Sequence, residues 1–204
     1  MTKTVRFPDK NLERKIREAI KQRQGEIPAD KCGKIIELYA PKSRIKDLSG
    51  LESCINLKAL ALYKNRISSL AKVKKLKKLR ELWIGSNNIK DLKPVKNLSL
   101  LKGLGLVSCG ITNIRPLKKL TKMEVLELYN NKISDISVLS GMKKLKKLDL
   151  SRNRISCIKP LLRNAKSRGI KRGCKINLSD NPLKSEAKKD IEILRSKYNI
   201  PVVY

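Results

Sequence analysis

Apolar and variable residues alternate in an eleven-residue phrase that occurs six times, and successive copies begin 22 residues apart. The first, fourth, sixth and eleventh positions are apolar in every copy. LKALALYKNRI, which begins at Leu57, and LKKLDLSRNRI, which begins at Leu145, are two examples. Because apolar positions with a period of two mark a strand with one buried face, each copy predicts a short strand. A fixed period of this length predicts a solenoid whose repeats contact only their neighbours.

The ninth position of the phrase is polar and mostly asparagine. It is occupied in turn by Ser43, Asn65, Asn87, Cys109, Asn131 and Asn153. Because a buried amide can bond the backbone of the turn that leaves each strand, we predict a stacked asparagine ladder. The alternative is that these residues are surface turn formers, but their spacing never slips.

The second half of each repeat carries few apolar residues. A short polar residue such as Asp47 or Asp91 follows the phrase by two positions, where its side chain can cap a turn. The remaining segment has two apolar anchors, as at Val73 and Leu76. Such a segment suits a 3₁₀ turn or a short helical piece and not a long helix.

The two ends of the chain depart from the repeat and predict terminal caps. Residues 7–21 form a helical pattern whose apolar stripe consists of Leu12, Ile16, Ala19 and Ile20. A second short helix is expected to begin near Pro28. We therefore predict an N-terminal cap over residues 1–34.

The C-terminal end contains a seventh, divergent phrase, offset by about six inserted residues from the repeat period. We expect Ser185 to cap a final helix whose inward residues are Ala187, Ile191 and Leu194. The predicted division is repeats over 35–183 and a C-terminal cap over 184–204, all in one domain. Terminal caps of this kind cover an otherwise open core.

The sequence also indicates whether the chain crosses a membrane and in which compartment it resides. The sequence has no run approaching the roughly 20 apolar residues of a membrane span. Met1 leads almost directly into the first helix, and Cys54 and Cys109 occupy structural positions as buried thiols. These features favour the cytoplasm. Two alternatives stay open: an exported protein whose leader has been removed, and a disulfide that fastens a cap through Cys32. We expect a monomer.

Positive charge is the second strong signal, because the formal net charge is +31. Lysines cluster near the start of several strands and recur at equivalent repeat positions. The candidate polyanion-binding residues are Lys74, Lys75, Lys77, Lys78, Lys118, Lys119, Lys143, Lys144 and Lys146. The residues 166–175, KSRGIKRGCK, extend this surface as a basic loop. Such a flank either keeps the solenoid soluble or binds nucleic acid, an acidic protein or an anionic glycan.

Aromatic residues are concentrated at the positions that face outward from the strands, on the expected concave side. Four of the six Trp and Tyr residues lie there, although strand preference alone also favours aromatic residues. The candidate partner-binding residues are Tyr39, Tyr63, Glu81, Trp83, Val107, Glu127, Tyr129 and Asp149. We expect the indole of Trp83 to stand clear of its neighbours, with Gly103 and Gly105 leaving a shallow dent beside it.

No catalytic chemistry is visible in the sequence. Histidine is absent, so the usual base for a Ser or Cys nucleophile is missing. No metal-type cysteine spacing and no phosphate-binding glycine motif occurs; GLGLVSCG, residues 103–110, is a repeat phrase. We therefore expect no enzyme activity, no metal and no cofactor.

The repeat, together with FPDKNLERKIREAI near the start and NPLKSEAKKDIEILRSKYNIPVVY at the end, resembles bacterial leucine-rich-repeat proteins of the internalin type. The resemblance implies a right-handed solenoid with parallel strands on the concave face, 3₁₀ turns on the convex face and helical caps. It also implies binding of another protein on the concave face and export from the cell. The high lysine content, the unpaired cysteines and the lack of an immunoglobulin-like segment depart from internalins, so host-receptor binding is not carried over.

Two functional hypotheses follow. The first is a non-enzymatic module that binds a protein or peptide on its concave face. The alternative is polyanion binding through the lysine flank. Salt distinguishes the two hypotheses, because a protein that contacts 6–10 phosphates loses about 10³–10⁵ in affinity between 50 and 200 mM salt.

Overall fold

The computed structural model describes residues 3–204, whose strands form one parallel sheet in chain order. The strands are β1 (Glu37–Tyr39), β2 (Ala59–Ala61), β3 (Glu81–Trp83), β4 (Gly103–Gly105), β5 (Val125–Glu127), β6 (Lys147–Asp149), β7 (Lys175–Asn177) and β8 (Val202–Val203). Paired residues from β1 to β6 are 22 positions apart, as in Leu38 with Leu60. The step from Leu148 to Ile176 is longer and contains the insertion. The solenoid prediction is confirmed; Met1 and Thr2, at the start of the predicted cap, lie outside the described residues.

Leucine and isoleucine at the fourth and sixth positions fill the interior. Leu60, Leu82, Leu104 and Leu126 stack on one another with no exposed surface, since their strands pair in register. Full burial of such a side chain stabilises the fold by about 1.5–3 kcal/mol. Every repeat therefore contributes one apolar layer to a continuous core.

The convex side consists of short 3₁₀ helices, as predicted. They span Leu51–Ser53, Val73–Lys75, Lys93–Val95, Arg115–Lys119 and Ser137–Gly141. The next convex segment differs, because it forms the α-helix α3 (Lys159–Lys166). This segment is the short helical piece that the sequence pattern allowed as the alternative to a 3₁₀ turn, and the inserted residues give the chain room for its two helical turns.

The asparagine ladder is confirmed. Asn131 is buried; its Oδ1 accepts hydrogen bonds from Ile111 N at 2.9 Å and Cys109 N at 3.2 Å. Its Nδ2 donates to Leu106 O at 2.8 Å and Leu128 O at 2.9 Å. One amide thus joins two neighbouring turns, which leaves their buried backbone groups satisfied.

The eighth position, just before the ladder, has a left-handed backbone in all seven phrases. The φ angles there lie between 49° and 59°, although none of these residues is glycine. The residues are Lys42, Lys64, Ser86, Ser108, Asn130, Arg152 and Asp180. Each turn therefore reverses direction at the same point, which holds the following ladder residue in register.

The N-terminal cap consists of α1 (Lys10–Ala19) and α2 (Ala29–Gly33), the second beginning just after Pro28 as expected. Asp9 caps α1 through one carboxylate oxygen and accepts bonds from Lys46 N and Asp47 N through the other. Burial opposes ionisation of Asp9, but these backbone bonds hold its pKa below the ordinary value. Ala19, predicted to be in the apolar stripe, is exposed, whereas Ile20 next to it packs against the core.

The C-terminal helix α4 (Ser185–Tyr198) buries Ala187, Ile191 and Leu194, as predicted. The prediction that Ser185 caps this helix is wrong. Ser185 is the first helical residue, and its Oγ lies 3.2 Å from Glu186 Oε2. The hydroxyl therefore donates a hydrogen bond to a carboxylate and does not accept one from an unpaired backbone N–H group of the helix.

The five cysteines carry free thiols, so no disulfide fastens Cys32 to a partner. Cys54 and Cys109 are buried, as their repeat positions predict. Burial raises the pKa of Cys174 to about 11, which keeps this thiol protonated at neutral pH. Within residues 3–204, none of the helices combines the length and hydrophobicity needed to cross a bilayer.

Candidate binding surface

Tyr39 and Tyr63 form a pair at the N-terminal end of the strand face. Their ring centroids are 6.0 Å apart with an edge-to-face angle of 73°, and their hydroxyl groups share a hydrogen bond. That hydrogen bond raises the pKa of Tyr39 above its ordinary value. Tyr39 is 66% exposed. The pair thus presents two mutually positioned rings to solvent.

Trp83 lies flat over two glycines of the next repeat. A β-carbon built on Gly105 would be 2.5 Å from Trp83 Cε3, and one on Gly103 would be 3.0 Å from Cζ2. The expectation that the indole stands clear beside an open dent is therefore wrong, because the indole itself fills the dent. Trp83 Nε1 donates to Glu81 Oε2 at 3.1 Å, which fixes the ring from its polar edge.

Val107 and Tyr129 continue the surface towards the C-terminal repeats. A β-carbon on Gly85 would be 3.1–3.3 Å from the backbone O, the Cβ and the backbone N of Val107, so the main chain of Val107 approaches Gly85 closely. The guanidinium carbon of Arg152 lies 5.6 Å from the Tyr129 ring centroid. Arg152 belongs to the eighth position, directly after the outward-facing row, and sequence reasoning missed it.

Two of the three candidate carboxylates lie on neighbouring strands and the third lies apart from them, and each is engaged by a neighbouring side chain. Glu127 bonds Lys147 Nζ at 2.7 Å, and this bond raises the pKa of Lys147. Asp149 accepts bonds from Ser151 N at 3.0 Å and Ser151 Oγ at 2.6 Å. Glu127 and Asp149 pair across β5 and β6, whereas Glu81 lies two strands away and holds Trp83. The carboxylates therefore orient the surface and do not form one acidic cluster.

The predicted lysine flank divides into two parts. Lys74, Lys75, Lys118 and Lys119 lie in the 3₁₀ helices of the convex side. Lys77, Lys78, Lys143, Lys144 and Lys146 lie in the segments that lead into β3 and β6. Among the described residues, Lys146 is the only one of these lysines with a carboxylate within 4.0 Å. The others have no counter-ion of their own.

A family model for leucine-rich repeats (two copies) matches residues 55–97, 99–141 and 121–164, more than half of the chain. The chain therefore belongs to the leucine-rich-repeat family. Domains of this family are in general protein–protein interaction modules.

Solved structures refine the relationship. An internalin (inlF) of Listeria monocytogenes superimposes with a TM-score of 0.86 at 27% identity, covering 97% of this chain and 56% of that chain. Internalin C2 (inlC2) of the same species gives a TM-score of 0.72 at 27% identity, covering 97% and 93%. A leucine-rich-repeat protein of Leptospira interrogans, at 23% identity and a TM-score of 0.66, covers 86% and 51% and shares the fold. The chain is thus internalin-like, and it spans about half the length of the first of these proteins. No curated protein sequence matched.

Proposed function

We propose that the concave face binds a protein or peptide partner, with Tyr39, Tyr63, Trp83 and Tyr129 as its anchors. The observation that carries this proposal is that rings on this face, of which Tyr39 is exposed and Tyr63 and Trp83 are partly exposed, are already held in place by their neighbours. Trp83 is seated on two glycines and bonded to Glu81, and the two tyrosines bond each other. Association normally loses entropy when side chains become ordered, so anchors that are already fixed lose less. Tyrosine and tryptophan are also the residues that dominate interface energetics.

We also propose that the module is non-enzymatic. The absence of histidine supports this, and so does the engagement of Glu127 and Asp149 by Lys147 and Ser151. A carboxylate that is already hydrogen-bonded on an open face has no enclosed site in which to act as an acid or base.

The test targets Trp83, the one tryptophan in the chain. Partners are captured from a lysate at high salt and identified, and the affinity of the purified partner for wild type and for each variant is measured by isothermal titration calorimetry. Trp83→Ala is expected to weaken binding by at least about 2 kcal/mol, about thirtyfold. Ile55→Ala is the control, because it removes an exposed apolar side chain from the segment between the first 3₁₀ helix and β2. This variant should leave affinity unchanged. Affinity of Trp83→Ala within about twofold of wild type would refute the proposal.

A second candidate is binding of a linear polyanion, such as nucleic acid or an anionic glycan, along the lysine flank. The supporting observation is that its lysines, apart from Lys146, lack a carboxylate within 4.0 Å among residues 3–204. The logarithm of the affinity for a single-stranded oligonucleotide should then fall steeply and linearly with the logarithm of the salt concentration. Charge reversal at Lys74, Lys75, Lys77 and Lys78 should abolish saturable binding, and an unchanged affinity would exclude this candidate.

A further inference from the structure

A basic recess of about 760 Å³ lies outside the concave face, at the C-terminal end of the repeats. One wall is the segment that leads into β6, and the other is the loop between α3 and β7. Its basic lining residues are Lys143, Lys144, Lys146, Arg168, Lys171 and Arg172. Glu124 is the one acidic side chain among the residues that line it.

The two walls are fixed to each other by Asn164, whose side chain is fully buried. Its Nδ2 donates to Leu139 O at 2.5 Å and Met142 O at 3.1 Å, at the base of the first wall. Its Oδ1 accepts from Ile170 N at 2.9 Å, in the loop that forms the second wall. Gly169 packs so closely that an added β-carbon would lie 2.9 Å from Lys143 Cγ. The backbone segments of the two walls are therefore held together by packing, and the basic side chains of the recess extend from these fixed segments towards solvent.

The single carboxylate of the recess is already neutralised. Glu124 lies 2.9 Å from Lys102 Nζ and 2.6 Å from Lys146 Nζ. These bonds lower the pKa of Glu124 to about 2. For Lys143, Lys144, Arg168, Lys171 and Arg172, the structure of residues 3–204 offers no carboxylate within 4.0 Å. Cations held together in this way repel one another until an anion is bound.

We propose that this recess binds a compact ligand carrying several phosphate groups. Arginine bonds phosphate oxygens in a bidentate manner and lysine supplies point charges, so the two residue types together suit clustered phosphates. The volume falls in the range of small-molecule sites, about 300–1,000 Å³. The ligand chemistry differs from that of a linear polyanion on the lysine flank, although Lys143, Lys144 and Lys146 belong to both surfaces. The proposal does not depend on the concave face.

Isothermal titration calorimetry with inorganic tripolyphosphate tests this site, with orthophosphate as the single-phosphate comparison. Wild type should bind tripolyphosphate with one-to-one saturation and bind orthophosphate at least about tenfold more weakly. Lys171→Gln/Arg172→Gln should weaken tripolyphosphate binding at least about tenfold. Lys188→Gln/Lys189→Gln removes the same charge from exposed positions of α4 and should change affinity less than about twofold. Trp83→Ala should bind tripolyphosphate like wild type, so failure of the concave-face proposal is a separate result.

Equal weakening by the two double variants, or no saturable binding by wild type, would overturn the proposal. A single-stranded oligonucleotide that binds as tightly as tripolyphosphate, with the same loss in Lys171→Gln/Arg172→Gln, would overturn the assignment to a compact ligand. Amide chemical shifts provide a measurement on unaltered protein. Tripolyphosphate should shift the amides of residues 168–174, and perturbation spread evenly over the lysine flank would contradict the site.

Discussion

Gly105→Ala tests how Trp83 is held. The new β-carbon would lie 2.5 Å from Trp83 Cε3 and 3.1 Å from Cζ3, whereas carbon atoms normally approach to about 3.5–4.0 Å. The indole must therefore move by about 1 Å or leave its seat. Overpacking of this kind destabilises the folded state by about 1–3 kcal/mol. Replacing glycine by alanine also lowers the conformational entropy of the unfolded chain, which offsets about 0.4–1 kcal/mol of that loss. The difference between these ranges is a net loss of about 0–2.6 kcal/mol in the free energy of unfolding, and the short 2.5 Å contact favours its upper part, about 1–2.6 kcal/mol.

The assay combines urea denaturation, followed by far-ultraviolet circular dichroism, with Trp emission. Because the chain has one tryptophan, emission reports on this ring alone, and Gly105→Ala should shift it to longer wavelength as the indole meets water. Gly141→Ala is the matched control, since a β-carbon there meets nothing within 4 Å. That variant should keep the wild-type emission and stability, or gain up to about 1 kcal/mol. Wild-type emission and midpoint in Gly105→Ala would refute the described seat.

Three further predictions concern the ladder and the recess. Asn131→Ala should lower the free energy of unfolding by about 2–4 kcal/mol in urea, because the Ile111 N–H and Leu106 C=O lose their buried partner; a loss below about 1 kcal/mol would contradict the ladder. Cys109→Asn should raise thermal stability by about 1 kcal/mol, because an amide replaces the weak Sγ bond to Ile84 O at 3.5 Å, and a lower melting temperature would contradict this. Glu124 has an ordinary pKa of 4.5 and a folded pKa of about 2, so its contribution is present above pH 4.5 and is lost as pH falls to about 2. Urea midpoints measured across that range should fall less steeply for Glu124→Gln than for wild type; parallel profiles would show that Glu124 is not held by the lysines.

The repeat period predicted most of the fold because each repeat solves the same packing problem. Leu60 and Leu82 lie in equivalent surroundings, so one copy of the pattern explains the others. The helix α3 could not be predicted in this way. Its segment occurs once, and the amide of Asn164 is hydrogen-bonded to carbonyl groups 22 and 25 residues away in sequence. Only the folded chain brings these groups together.

The sequence predicted which residues lie on the candidate surface, but it did not predict how their side chains are oriented. The alternation correctly placed Trp83 on the outward row, yet the direction of its ring depends on free space in the next repeat. Gly103 and Gly105 were the available signal, because two glycines beside a large ring leave a space that the ring can fill. Lys74 and Lys77 show a similar limit, since they are close in sequence but lie in different elements, one in a 3₁₀ helix and the other in the segment that leads into β3.

The constant offset between β1 and β6 has a consequence for how such a chain can change over time. If one 22-residue unit is gained or lost, the strands on either side of the change can still pair in the same register. The change therefore creates no new type of contact. Each event would alter the separation between the aromatic rings and the basic recess by one strand spacing, about 4.8 Å. The distance between the two proposed binding sites can therefore change in fixed increments when a repeat between them is duplicated or deleted in the gene.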